Sequence, residues 1–157
     1  LLGAGGSGKT TTIVNAFNYE RIPYNLAFCA FTNKATQVLK NISQKFNITF
    51  IASYMTIHKL LMLEPKHLDR ETELAFSFDK TKLEHLKQYN VIIFDECSTI
   101  SKELFSYIQQ AWEWILFKFD VKLKFIFLGD YWQLPPIGEE SSVVFETATR
   151  ENGWLAS

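Results

Sequence analysis

The sequence has 157 residues, about one domain in size, and is 47% hydrophobic and 21% charged, which excludes a disordered or collagen-like chain. Sixteen basic against seventeen acidic residues leave a net charge of −1, so any nucleic-acid binding must come from a local patch. Two cysteines, Cys29 and Cys97, cannot build a disulfide framework and fit a reducing compartment, and no apolar run nears the ~18 residues of a membrane span.

Leu1-Leu2 reads as the end of a strand. It leads into Gly3-Ala4-Gly5-Gly6-Ser7-Gly8-Lys9-Thr10, which fits G-x-x-x-x-G-K-[ST] at every position. Such a loop follows a strand of roughly five or six residues, so the sequence is expected to be cut at its N-terminus. Glycines allow positive φ and bring backbone N–H groups against phosphate oxygens, and the helix that follows adds its positive end. Lys9 is expected to reach the β- and γ-phosphates and the Thr10 hydroxyl to hold Mg²⁺. The ATP cradle is predicted to run through Gly3, Ala4, Gly5, Gly6, Ser7, Gly8, Lys9, Thr10 and Thr11. A glycine-rich turn matching by chance is the bland alternative. The helical face Ile13, Val14 and Phe17 just after the loop argues against it.

Leu26 to Ala30 is a continuous apolar run, as in a parallel strand buried on both faces. Ala35, Val38, Leu39, Ile42 and Phe46 then form one helical face. Residues 64–88 break the rhythm. A polar stretch with Pro65 precedes an alternation of Leu74, Phe76 and Phe78 with Glu73, Ala75 and Ser77, which predicts a small inserted hairpin; a charged surface loop is the alternative.

Val91 to Phe94 is a second continuous apolar strand, and it delivers Asp95 and Glu96 at its C-terminal end, where ligand sites of parallel sheets lie. Asp95 is the expected carboxylate for Mg²⁺ and Glu96 the group that orients or deprotonates an attacking water. Ser101 is a plausible N-cap for a helix burying Leu104, Phe105, Ile108, Trp112, Ile115 and Leu116. Phe125 to Leu128 is the last strand. Its exit, Gly129-Asp130-Tyr131-Trp132-Gln133-Leu134-Pro135-Pro136, offers Gln133 to a γ-phosphate or the attacking water. The phosphate loop and the alternation of strands and helices predict an α/β fold, a P-loop NTPase with a parallel β-sheet flanked by helices.

Together these segments resemble the superfamily 1 helicases, in the RecD-like, Dda-like and Pif-type branch. Gly3 to Thr10 looks like motif I, Phe31-Thr32-Asn33-Lys34-Ala35 like motif Ia, and Thr56-Ile57-His58-Lys59-Leu60-Leu61 like motif Ib. Asp95-Glu96-Cys97-Ser98 looks like motif II and Gly129 to Pro136 like motif III. The resemblance implies that the sheet is RecA-like and belongs to a motor that hydrolyses ATP, translocates on single-stranded DNA and unwinds duplex junctions. Phe31, Thr32, Asn33, Lys34, Thr56 and His58 would then contact the nucleic acid, and Lys9, Glu96 and Gln133 would carry the hydrolysis. The 64–88 insertion takes the place of the family's strand-splitting subdomain. Phe31 replaces the proline usual before the motif Ia threonine, a feature closer to UvrD-like proteins. Leu134-Pro135-Pro136 favours the RecD-like side and 5′→3′ movement.

From the residues alone, Phe31 is either a base-stacking or a core phenylalanine, and His58 either a strand contact or a core histidine. Cys97 reads as a small buried residue beside the site. The family's second RecA-like domain, with its γ-phosphate arginines, matches no segment here. The 157 residues are expected to be one RecA-like domain truncated at both ends and partnered by that second domain. A cytoplasmic location, or whichever compartment holds the DNA, is expected. The competing classes are a PhoH-like ATPase that is not a motor, a P-loop kinase, and a binding module without catalysis.

Overall fold

The computed structural model describes residues 1, 8–20, 22–66, 75–130 and 132–150. Its strands are β1 (Asn25–Ala30), β2 (Ile51–Thr56), β3 (Glu64–Lys66), β4 (Ala75–Ser77), β5 (Val91–Phe94) and β6 (Lys124–Phe127). The helices are α1 (Lys9–Glu20), α2 (Asn33–Gln44), α3 (Ile57–Leu60), α4 (Lys102–Phe119) and α5 (Val143–Arg150), with 3-10 segments at Lys80–Gln88 and Cys97–Thr99. One parallel sheet has the order β2-β1-β5-β6, and β3 and β4 form an antiparallel hairpin.

The continuous apolar runs are explained by burial on both faces. In β1, Ala27 and Cys29 point to one side and Leu26, Phe28 and Ala30 to the other; in β5, Ile92 and Phe94 oppose Val91 and Ile93. The register pairs like with like, Phe28 beside Ile93 and Cys29 beside Phe94. α1 and α2 cover the face of Val14 and Leu39, while α3, α4 and the Lys80–Gln88 turn cover the other with Leu60, Ile108 and Leu83. Each fully buried Leu, Ile or Phe stabilises the fold by about 1.5–3 kcal/mol.

The Leu1 nitrogen donates to the Phe127 carbonyl at 2.8 Å, and the Gly129 N–H donates to the Leu1 carbonyl at 3.2 Å. That slanted pattern is a parallel pairing, so Leu1 lies beside the end of β6. β6 therefore stands between Leu1 and the β5 strand that carries Asp95. Leu2 and the loop residues Gly3, Ala4, Gly5, Gly6 and Ser7 lie outside the described residues.

Three features differ from the sequence expectation. β2 has no counterpart in it, because Ile51-Ala-Ser-Tyr-Met-Thr mixes polar and apolar residues and sits at the sheet edge, only partly buried. α2 ends at Gln44, with Lys45 as C-cap, so Phe46 packs from beyond the helix. Residues after the Pro135-Pro136 loop form α5, whose Val144 and Phe145 are buried.

Within 64–88, the described hairpin strands pair Glu64 with Ser77 and Lys66 with Ala75. The Lys80–Gln88 segment belongs to the body of the domain, since Leu83 and Leu86 are fully buried beneath α4. Phe78 stacks on Tyr107 of α4 at 4.6 Å, and Phe76 packs on His58 at 4.8 Å. Among the described residues no helix is long and apolar enough to cross a membrane.

Candidate functional site

The strand ends converge on one cleft, lined by Gly8, Lys9, Thr10, Thr11, Val38, Ile42, Asp95, Glu96, Gly129, Asp130 and Gln133. Gly8 has φ +78°, a conformation other residues rarely adopt, and its carbonyl accepts from the Thr12 N–H to start α1. Lys9 and Thr10 thus occupy the first turn, at the positive end of the helix dipole. The Thr10 hydroxyl donates to Asp95 Oδ2 at 3.2 Å, joining the two motifs across 85 residues of sequence.

Asp95 continues the β5 ladder, its N–H donating to the Cys29 carbonyl. The chain then turns sharply because Glu96 adopts the left-handed conformation, φ +53° and ψ +42°. For a residue with a Cβ this costs about 1–2 kcal/mol. The turn is held by the Glu96 N–H, which donates to Asp95 Oδ1 at 2.9 Å, and by the Cys97 N–H, which donates to the Leu128 carbonyl at 2.9 Å. It leaves the Glu96 side chain exposed at the cleft while Cys97 and Ser98 point inward and are fully buried.

Burial raises the Asp95 carboxyl above its ordinary pKa; the Glu96 N–H, the Thr10 hydroxyl and the Lys9 ammonium pull it back only in part. Burial likewise pushes the Cys97 thiol up to about 12, so it is an inert packing group rather than a nucleophile.

Gln133 reaches the same cleft from the β6 exit. Asp130 builds the turn, its carboxylate accepting from the Trp132 N–H at 3.0 Å and its carbonyl from the Gln133 N–H at 3.2 Å. The Ser98 hydroxyl donates to Gln133 Oε1 at 3.0 Å.

The other named residues gather at the ends of β1 and β2, which are neighbours with Ala30 beside Thr56. Phe31, Thr32, Asn33 and Lys34 are all exposed. The Phe31 ring is 42% exposed and meets His58 edge-on at 5.3 Å, which removes the core reading of Phe31. His58 is half-buried between Phe31 and Phe76, and burial lowers its pKa. Thr32 and Thr56 are N-caps, accepting from the Ala35 and Lys59 N–H groups. α2 carries no acidic residue in its first turn, so its positive end is uncompensated by a carboxylate there.

Sequence reasoning did not assign Asp130, Val38 or Ile42 to the site. Asp130 follows Gly129 in a visible turn signal. Val38 read as core-facing, yet it is 51% exposed and walls the cleft. A helix packed on a sheet edge presents one flank of its apolar face to the opening, and periodicity alone does not distinguish that flank.

Residues 1–139 match the model of a family described as AAA domain. The chain is 34% identical over 159 residues to the uncharacterized protein R530 of Acanthamoeba polyphaga mimivirus, a match covering 94% of this chain and 31% of that protein. It is 28% identical over 172 residues to the RecBCD enzyme subunit RecD of Buchnera aphidicola subsp. Schizaphis graminum, covering 98% and 25%. The chain thus spans under a third of the length of these relatives. Among solved structures, Bacteroides Pif1 bound to ssDNA matches with TM-score 0.57 and 22% identity over 95% of this chain and 32% of that one. Bacteroides Pif1 in complex with ADP-AlF4 matches with TM-score 0.56 and 22% identity over 95% and 31%. At that identity the likeness is one of fold, the RecA-like P-loop architecture. The relatives are those to which the motifs pointed, RecD and Pif1. With residues 1–139 matched by one model, the chain belongs to the AAA domain family.

Proposed function

We propose that this domain binds and hydrolyses Mg-ATP, and that the protein carrying it is a DNA helicase motor. It would move 5′→3′ on single-stranded DNA and separate duplex at junctions. The observation that carries the reading is the Thr10–Asp95 hydrogen bond, which closes the phosphate-loop helix onto the carboxylate turn beside Lys9, Glu96 and Gln133.

The donor set fits the cation. A hydroxyl and a carboxylate are hard oxygen ligands of the kind Mg²⁺ takes, and the hydrogen bond brings them together. Thr10 and Asp95 would hold Mg²⁺, which when bound neutralises charge on the phosphates. Lys9 binds the phosphate tail. Glu96, aimed into the cleft by its left-handed turn, orients water and takes its proton. Gln133 donates an N–H to the γ-phosphate or that water.

The exposed row Phe31 to Lys34 with the capped end of α2 supports a strand-binding role, through phosphate contacts and one stacking ring. The Pif1 structure named as bound to ssDNA supports the same substrate class. A second RecA-like domain would complete the nucleotide site, and the β3–β4 hairpin would act in strand separation. The protein would work wherever its DNA resides.

The test uses the full-length protein, with ATP hydrolysis measured with and without single-stranded DNA and strand displacement on a forked duplex. Lys9→Ala is expected to lose nucleotide binding and turnover, and Glu96→Gln to keep binding while losing turnover. Normal turnover in either variant refutes the assignment. DNA-independent hydrolysis with no strand displacement identifies an ATPase that is not a motor.

A further inference from the structure

Ser98 is fully buried in the single 3-10 turn after Glu96, yet its hydroxyl reaches across to the β6 exit and donates to Gln133 Oε1 at 3.0 Å. A primary amide has two chemically opposite ends, an oxygen that only accepts and an NH₂ that only donates. The Asp130 turn delivers the Gln133 backbone to the cleft but leaves the rotation of its amide unset. We infer that Ser98 is the positioning residue that turns the Gln133 amide donor-first toward the nucleotide.

The inference rests on the catalytic reading of Gln133 given above. With Oε1 held by the buried hydroxyl, Nε2 is the end left to face the cleft. An anionic phosphate oxygen needs a donor, and the carbonyl end would repel it. A flipped amide could still bond Ser98, by donating to the hydroxyl oxygen, but it would then turn Oε1 toward the phosphate, so the arrangement seen, hydroxyl to Oε1, is the one the anion favours. The contact also ties the turn carrying Glu96 to the loop carrying Gln133. Both groups acting on the γ-phosphate end therefore share one register.

Ser98→Ala removes the donor at almost no change in volume. In the full-length protein it is expected to lower kcat/KM for ATP about 3- to 10-fold, as for loss of one orienting hydrogen bond. Ser98→Thr, which keeps the hydroxyl, should restore most of the rate. The affinity ratio of a fluorescent ATP analogue over its ADP counterpart should fall in Ser98→Ala, whereas purely structural damage would weaken both equally.

Gln133→Ala separates this proposal from the reading beneath it. If Gln133→Ala leaves turnover intact, the catalytic reading of Gln133 fails. If Gln133→Ala is slow and Ser98→Ala is as fast as wild type, only the positioning role fails. If the Ser98→Ala loss multiplies in full on the Gln133→Ala background, Ser98 does not act through Gln133 and the proposal is overturned. The expected result is a double variant no slower than Gln133→Ala alone.

Discussion

Gly129 stands where the β6 exit crosses the carboxylate turn, and Gly129→Ala tests how tightly that crossing is packed. An added Cβ would lie 2.5 Å from Cys97 Sγ and 3.1 Å from Phe145 Cζ. The sulfur contact is about 1 Å short of the ~3.5–4.0 Å at which such atoms rest. Neither neighbour can yield freely: Cys97 is fully buried, with its N–H on the Leu128 carbonyl, and Phe145 anchors α5. Overpacking of this kind costs about 1–3 kcal/mol. For a chain of this length each kcal/mol moves the midpoint by about 2–4 °C, so the variant should melt roughly 2–12 °C lower by near-UV circular dichroism. Cys97→Ala in the same chain removes the sulfur. The double variant should therefore recover about 1–2 kcal/mol relative to the sum of the single penalties. Because Cys97 lies between Glu96 and Ser98, turnover should fall further than nucleotide affinity in Gly129→Ala. A variant that melts like wild type, or penalties that simply add, would refute the close-packing argument.

Asp95→Asn should melt higher than wild type at neutral pH without metal. A carboxyl whose pKa is raised on folding contributes stability that is complete below its unfolded value near ~3.9 and is lost as pH rises through the folded value. The gap between variant and wild type should thus close in acid and open with rising pH, and Mg-ATP should stabilise only the wild type. A variant that melts lower at neutral pH would show that the Thr10 bond outweighs the burial. Phe31→Ala should weaken single-stranded DNA binding by up to about 1–3 kcal/mol in fluorescence anisotropy, leaving DNA-free hydrolysis unchanged. Unchanged affinity would remove Phe31 from the strand-binding face.

β1 and β5 were legible because a strand buried on both faces needs apolar residues at every position, and Leu26 to Ala30 and Val91 to Phe94 supply them. Ser101 announced the start of α4 because its hydroxyl satisfies the Leu104 N–H. Lys9, Thr10, Asp95 and Glu96 were legible as a set because a phosphate loop and a strand-end carboxylate pair share one sheet edge. β2 was not, since an edge strand tolerates Ser53 and Thr56 among its apolar residues. Nor was the left-handed Glu96, because glutamate has no local preference for that conformation and only the surrounding hydrogen bonds impose it. The Ser98–Gln133 contact joins residues 35 apart, and sequence spacing carries no sign of it.

The two aromatic contacts of the β3–β4 hairpin have a mechanical consequence. Phe76 packs on His58 of α3, and so on the Phe31 face, while Phe78, just after β4, stacks on Tyr107 of α4. A projection moored at two separate points cannot pivot about either. The paired base of the hairpin, Glu64–Lys66 against Ala75–Ser77, is thus tied to two helices at once, and a force on that base would pass into both α3 and α4.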